Sequence, residues 1–261
     1  MINELFENNE DIKELIAKNR FQNIYLYIDS ITYGLNGPNI STYTVYESDT
    51  CVAIIYVYFG SIQFMYFNEM TDDIIAEIAN FVVEHKIVRS SGAGKLINRI
   101  GKHLQCKITN GYIMEYDSVF YSSSKVMCAC NSDLPEIAKL ICNEKEFGKI
   151  YTYDGLLAQL KDRMQNQRCK NFIIKKDGII VSHFATFAVA NDIAVLSGMV
   201  TKNNYRGQGF GGELVKTLSS EIKYNDGITP ILYCYEEEYY TWYQKLGYKT
   251  IGTSSKMEIE F

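Results

Sequence analysis

The sequence predicts a mixed α/β protein built from two α/β halves. Three observations predict it. An apolar run at residues 193–200 ends in the glycine-rich stretch Tyr205-Arg206-Gly207-Gln208-Gly209-Phe210-Gly211-Gly212-Glu213-Leu214, after which Leu214, Val215, Leu218 and Ile222 recur on one helical face. Two further apolar runs flank Asp177-Gly178, a dipeptide that favours a tight hairpin. The 261 residues, 47% of them apolar, suffice for one large core or two small ones.

The elements follow in order. Residues 1–20 are polar and charged and read as a helix. Strands are expected at 23–31, 42–47, 51–59 and 62–67, where aromatic and β-branched residues cluster. Thr71 opens a helix over 72–84, another lies near 95–104, and a strand at 111–116 closes the first half, residues 1–125. The second half, residues 126–261, begins with a strand at 126–130. Ser132 or Asp133 caps a helix to 143, a loop spans 144–153, and a second helix runs over 154–167. The hairpin of 171–176 and 179–190 comes next, then the strand at 193–200, the glycine turn and a helix over 212–223. A strand at 231–235, the aromatic-rich stretch Tyr239 to Tyr248, and final strands across 249–261 complete the chain.

Composition narrows the function. The net charge of −5 argues against a phosphate-backbone partner, because nucleic-acid binders carry basic patches or a pI above about 9. Residues 1–20 hold no apolar signal core. The longest apolar stretch, 51–67, is broken by Gly60, Ser61 and Gln63, and falls short of the ~20 residues a spanning helix needs. No membrane role is expected. Seven cysteines form no framework spacing, and Cys128 and Cys130 make a lone C-x-C beside only three histidines, so no metal site is expected. Reduced thiols in a cytoplasmic protein are the better reading, with Cys234 a packing residue on its strand.

The glycine turn is where chemistry concentrates. A turn of this kind at a helix start offers free backbone N–H groups and the positive end of the helix dipole to an anion. It is not a Walker loop, which needs Gly-Lys followed by Ser or Thr. Nor is it the dinucleotide fingerprint, because Gly207 to Gly211 runs G-x-G-x-G. The segment Ser91-Gly92-Ala93-Gly94-Lys95 also fails as a Walker loop, with Arg89 and Leu96 at the required Gly and Ser/Thr positions. What fits is R-x-x-G-x-G, Arg206 to Gly211. This segment resembles motif A of the GCN5-related N-acetyltransferase (GNAT) superfamily. Downstream, Trp242, Tyr243, Gly247 and Tyr248 match that superfamily's aromatic-Tyr-x-x-x-Gly-aromatic signature position for position.

The resemblance implies a fold with a central mixed, splayed β-sheet flanked by helices in residues 126–261. It implies acetyl-coenzyme A as co-substrate and direct transfer of its acetyl group to an amine of a small molecule, amino acid or peptide. Backbone amides along Arg206, Gly207, Gln208, Gly209, Phe210, Gly211 and Gly212 would grip the diphosphate. Met199, Val200 and Thr201 would pair with the pantetheine arm on a bulged strand, a bulge that Gly198 eases. An amide near Met199 or Val200 would polarise the thioester carbonyl. Tyr243 would protonate the departing thiolate, since a phenol (pKa about 10) still holds its proton at pH 7 where a thiol (about 8.5) leaves.

Two departures stand out. The motif strand has Ser197 and no carboxylate where many relatives carry Glu, and Glu236 stands where the family often has Asn. The general base therefore stays open between Glu236, Glu237 and Glu238, His183, and water. A run of three glutamates is ordinarily a solvated face, and a lone strand histidine a structural group. The acidic balance favours a small or cationic acceptor. Residues 1–125 fit a degenerate copy of the same fold, without the tyrosine motif, serving as a wall or lid for the acceptor pocket. A second reading keeps the coenzyme loop but makes the chain a non-catalytic acyl-coenzyme A sensor: Tyr243 favours the enzyme, the missing strand glutamate the sensor.

Overall fold

The computed structural model describes residues 1–261 apart from 8, 59, 145–150, 166–168 and 261. The expected strand end at Phe59, the middle of the 144–153 loop, the helix end at Gln167 and the final Phe261 lie outside the described residues. The chain forms two compact units, one of Met1–Met114, Tyr233–Tyr240 and Thr250–Phe261, the other of Glu115–Leu232 and Thr241–Lys249. Each unit thus takes chain from both sides of residue 125.

In the first unit the strands are β1 (Ile2–Leu5), β2 (Ile40–Glu47), β3 (Thr50–Tyr58), β4 (Ser61–Tyr66), β5 (Arg89–Ala93) and the C-terminal β12 (Tyr248–Ile259), ordered β1-β2-β3-β4-β5-β12. β4 and β5 run parallel and the other neighbours antiparallel. Helices α3 (Asp72–Glu84) and α4 (Gly94–Ile100) supply Ile75, Ile78, Val82, Leu96 and Ile97 to a core with Ile55, Phe64 and Met257. Burial of this continuous apolar set is the main stabilising term.

Three expectations are corrected here. Residues 23–31 are not a strand but helix α2 (Ile24–Tyr33). Asn23 caps it, its Oδ1 accepting from the Leu26 amide at 3.2 Å, and Gly34 ends it at φ +83°. Burial of Ile24, Leu26, Tyr27 and Ile28 outweighs the β-propensity of their side chains. Residues 1–20 are not one helix. Ile2–Leu5 pairs with β2, and only then does Asn9 cap α1 (Glu10–Lys18), accepting from the Ile12 amide at 3.1 Å. Lastly, β5 was not expected in its Ser/Gly-rich stretch. Gly92 allows it, because a Cβ there would lie 2.8 Å from the Phe64 carbonyl oxygen.

In the second unit the strands are β7 (Val126–Cys128), β8 (Asn171–Lys176), β9 (Ile179–Val189), β10 (Ile193–Thr201) and β11 (Thr229–Cys234), ordered β11-β10-β9-β8-β7. Helices α5 (Leu134–Cys142) and α6 (Tyr153–Gln165) pack Leu134, Ile137, Ile141, Leu156 and Leu160 against Ile173, Ile180 and Val200. Asp133 starts α5. Its Oδ2 accepts from the Cys130 amide at 2.9 Å and its Oδ1 from Lys175 Nζ at 2.6 Å. Those two bonds, the amide's first, hold its pKa down at about 2. α7 (Phe210–Ser220) follows the glycine turn and gives way to a wider π-type turn at Glu221–Asn225. α8 (Glu237–Lys245) precedes β12, a single strand where several were expected. With β6 (Cys106–Tyr116), the order β-α-α-β-β-β-α-β-α-β occurs twice among the described helices and strands, from β1 to β6 and again from β7 to β12.

Candidate active site

The site is built on β10. Its parallel pairing with β11 covers Ile193, Ala194 and Val195 and no residue beyond. On its other side the register with β9 steps from Ser197–Ala185 to Val200–His183, so Gly198 and Met199 stand opposite a single residue. This is a β-bulge, and Gly198 takes the left-handed φ of +71° that it needs. Past residue 195 the strand is therefore open toward β11, and Met199 has no register partner on either neighbour. An amide and carbonyl edge of this kind can accept an added extended chain.

His183 fixes the bulge from beneath. It is buried, with Nδ1 2.9 Å from the Gly198 carbonyl oxygen and Nε2 2.9 Å from Asn171 Oδ1. The carbonyl can only accept, so Nδ1 carries the proton; Nε2 of the neutral ring then accepts, which the Asn171 amide satisfies with its NH2 turned toward the ring. Burial pushes the ring's pKa down to about 4 against the smaller opposing effect of the Gly198 bond. With both nitrogens engaged and little basicity, His183 fits the structural role better than that of a general base.

The glycine turn supplies the second part. A short 3-10 turn at Asn203–Tyr205 leads to Arg206, and then Gly207 (φ +76°) and Gly209 (φ +85°) take left-handed backbone. The Glu213 amide donates to the Gly209 carbonyl at 3.1 Å. Ahead of it, among the described residues, the amides of Gly207, Gln208, Gly209, Phe210, Gly211 and Gly212 donate to no protein acceptor outside the helix itself. Residues 206–209 are exposed, while Phe210 is buried and anchors the helix start. Free amides of this kind at the positive end of α7 form an anion-binding concavity. Arg206 donates from Nε to the Thr201 carbonyl (3.0 Å) and from Nη2 to Glu144 Oε2 (2.6 Å). The Gln208 side chain donates to the Asn204 carbonyl.

Gly211 is where the segments meet. A Cβ added there would lie 3.0 Å from Met199 Cε, 3.5 Å from Trp242 Cζ2 and 3.6 Å from Thr201 Oγ1. The open end of β10, the first turn of α7 and the end of α8 thus converge on one residue. Next to Trp242, half-buried Tyr243 packs edge-on against Trp242 (4.9 Å) and Tyr248 (5.6 Å). Gly247, at φ +98°, ends α8, and any side chain there would collide with Ser118. Buried Tyr248 hydrogen-bonds Ser219 at 2.6 Å. The spacing of the tyrosine signature is therefore the geometry of a helix ending on a glycine and turning into a strand.

The remaining candidates sit elsewhere. Glu236, Glu237 and Glu238 are exposed, the last two in the first turn of α8, where carboxylates complement the helix dipole. Cys234 is buried and its thiol faces the Glu236 carbonyl at 3.3 Å. All seven cysteines are unpaired, and among the described residues no cluster of three His, Cys, Asp or Glu side chains is placed to hold a metal. Among the described residues no helix is long and apolar enough to cross a membrane. The sequence reading missed the link from Asn171 through His183 to Gly198. His183 and Gly198 were each conspicuous in the sequence, but only the strand register joins them.

The residues fit a coenzyme A diphosphate and its pantetheine arm. The amides ahead of α7 are free, Gly211 leaves room that a Cβ would fill, and β10 offers an open edge. Among the described residues the first unit offers no counterpart of the glycine turn or of the bulge. Its β3–β4 pairing shows no bulge, β4 pairs with β5 from Ile62 to Phe64, and the link to α3 contains no glycine. Glu69, Asp72 and Asp73 crowd the start of α3, with Glu69 bound to Lys95 and Asp72 to Arg99. An anion would meet carboxylates there.

Comparison with known proteins agrees with this geometry. The acetyltransferase (GNAT) domain family matches residues 134–258. Among curated proteins none matches the sequence. The fold is similar over its whole length to solved structures. A GNAT-family acetyltransferase from Colwellia psychrerythraea superposes with a TM-score of 0.66 at 14% identity, covering 100% of both chains. A GCN5-related N-acetyltransferase from Sphaerobacter thermophilus gives 0.65 at 12% identity, covering 98% of this chain and 94% of that one. A tandem GNAT protein of the clavulanic acid biosynthesis pathway gives 0.62 at 9% identity, covering 98% and 97%. At such identities the likeness speaks for the fold, which is the GNAT fold. Fold, family match and the convergence at Gly211 lead to one conclusion: the C-terminal half of this chain belongs to the GCN5-related N-acetyltransferase superfamily, and the protein is an acyltransferase of that type.

Proposed function

We propose that the protein transfers the acetyl group of acetyl-coenzyme A directly to a primary amine of a small molecule, amino acid or peptide. The observation that carries the reading is the set of unpaired amides from Gly207 to Gly212 beside the open edge of β10. Bound coenzyme supplies an activated acyl thioester. The chain's residues do the rest. Gly207, Gln208, Gly209, Phe210, Gly211 and Gly212 hold the diphosphate through main-chain N–H groups, with Arg206 adding positive charge. Met199, Val200 and Thr201 hold the pantetheine arm as an added strand, and an amide at the bulge polarises the acyl carbonyl. In the transfer a C–N bond forms, the C–S bond breaks, the amine loses a proton and the sulfur gains one. Tyr243 delivers the proton to sulfur. Water takes the proton from the amine.

Residues 126–261 are read as the catalytic domain and residues 1–125 as a GNAT-like domain without catalytic function, because carboxylates stand where its diphosphate loop would be. Cytoplasmic thiol-reducing conditions suit seven unpaired cysteines.

Thiol release from acetyl-coenzyme A over a panel of amines tests the reading. Turnover is expected with the native chain, and Tyr243→Phe is expected to lower kcat by about 10²-fold. Coenzyme binding with no thiol release for any amine would favour the non-catalytic sensor instead.

A further inference from the structure

We propose that the acceptor carries a carboxylate besides its amine, and that Arg163 binds that carboxylate. This rests on the amine-transfer reading above and names its substrate class. The second unit contains a cavity walled by Leu156, Leu160 and Phe187, and Ser197 and Gly198 line it as well, so it opens onto the β10 bulge where the acyl group is delivered. Arg163 lines the same cavity, and among the described residues no Asp or Glu does. His183, also on the wall, is held neutral by burial.

The arrangement of Arg163 suits an anion. Its guanidinium carbon lies 3.6 Å from the centroid of the Phe187 ring, and Nη2 donates to Gln159 Oε1 at 3.2 Å. Both partners are neutral. The stack fixes the plane of the guanidinium, and one of its five donors is spent on Gln159, leaving others for a carboxylate. A half-buried cation on an apolar wall, held by a ring face and one amide oxygen and with no ion pair among the described residues, keeps donors that an anion can take. A dicationic or simple ammonium acceptor would meet a like charge and, among the described residues, no carboxylate. The protein's net charge of −5 acts only at long range through screening solvent. Arg163 acts at contact, so the local charge decides. The class is an aminocarboxylate, such as an amino acid or an ω-amino acid.

Matched substrates test this: 6-aminohexanoate against hexylamine, and L-phenylalanine against phenethylamine. The quantity read is the ratio of kcat/KM within each pair, compared between the native enzyme and Arg163→Gln, which cancels intrinsic amine reactivity. The ratio for the native enzyme is expected to favour the carboxylate in at least one pair and to fall about tenfold or more in Arg163→Gln, the loss expected for one charge-assisted hydrogen-bonded contact. Arg163→Lys, which keeps the charge but not the fork, is expected to fall between. A ratio unchanged within about twofold in a variant that still binds coenzyme A overturns the proposal. Should the native enzyme acetylate none of the four, the amine-transfer reading has failed separately. Calorimetry of 6-acetamidohexanoate with coenzyme A-saturated protein then decides: binding weakened about tenfold by Arg163→Gln upholds the anion site, and no binding to the native protein overturns it.

Discussion

His183 Nδ1 lies 2.9 Å from the carbonyl oxygen of Gly198, and that bond ties a buried ring to the one left-handed residue of β10. Because Met199 follows Gly198 in the bulge, the histidine sets the direction of the amide that would face the acyl group. His183→Ala should therefore lower kcat by about tenfold or more while leaving coenzyme affinity within a few-fold. Leaving the Gly198 carbonyl and Asn171 without their partner should also cost about 1–3 kcal/mol in stability. His183→Gln, which retains a donor, should recover part of both. Steady-state kinetics and urea melts read the two effects. The ring's lowered pKa adds a pH dependence with a definite sign. A buried histidine titrating at about 4 rather than 6.5 stabilises the fold above pH 6.5, and that stability is lost as pH falls from 6.5 toward 4. The acid limb of a stability profile should flatten in His183→Gln.

Gly209 sits at φ +85° as the residue before α7, and a Cβ there would meet no atom within 4 Å. Gly209→Val is thus opposed by its backbone conformation and by its cover over the free amides, not by packing. We expect coenzyme A affinity to fall by more than about 10²-fold, with a melting temperature only a few degrees lower, as strain of about 1–3 kcal/mol implies. Calorimetry and thermal melts together check this. A native affinity would show that ligand and amides do not touch.

In the first unit, Gln63 Nε2 donates to Asp29 Oδ2 at 2.7 Å, while the buried Gln63 Oε1 has no partner. Burial raises the Asp29 pKa to about 6. The sign is opposite to that of His183: the contribution of Asp29 is complete below about pH 4 and is lost as pH rises toward 6. A shift of this size corresponds to roughly 3 kcal/mol at full effect. Asp29→Asn should raise the melting temperature at pH 8 and not at pH 4. No gain at pH 8 would refute the protonation argument.

What the sequence made legible was the backbone around the glycine turn. The Asp177-Gly178 hairpin, the β10 strand and the limits of α3 follow from turn chemistry and apolar period, which are local, whereas the bulge at Gly198 was expected only from the family resemblance. The helix at 24–33 did not follow, because Tyr, Ile and Leu there read as a strand until tertiary burial and the Asn23 cap decide otherwise. β5 was illegible because its Ser and Gly residues carry no strand propensity, and only pairing with β4 and β12 makes them a strand. The tyrosine signature was legible, and its reason emerges in three dimensions: Gly247 must pass close to Ser118 and Tyr116. Arg163 gave no signal, since an arginine on an amphipathic helix is ordinary until its neighbours are known.

The central claim is that the amides from Gly207 to Gly212 bind the coenzyme's diphosphate. Titrating isotopically labelled protein with coenzyme A and with pantetheine, which lacks the diphosphate, tests it most directly by amide chemical shifts. The account predicts large shifts at Gly207, Gln208, Gly209, Phe210, Gly211 and Gly212 with coenzyme A and small ones there with pantetheine. Saturation by coenzyme A with those six amides unmoved would contradict it.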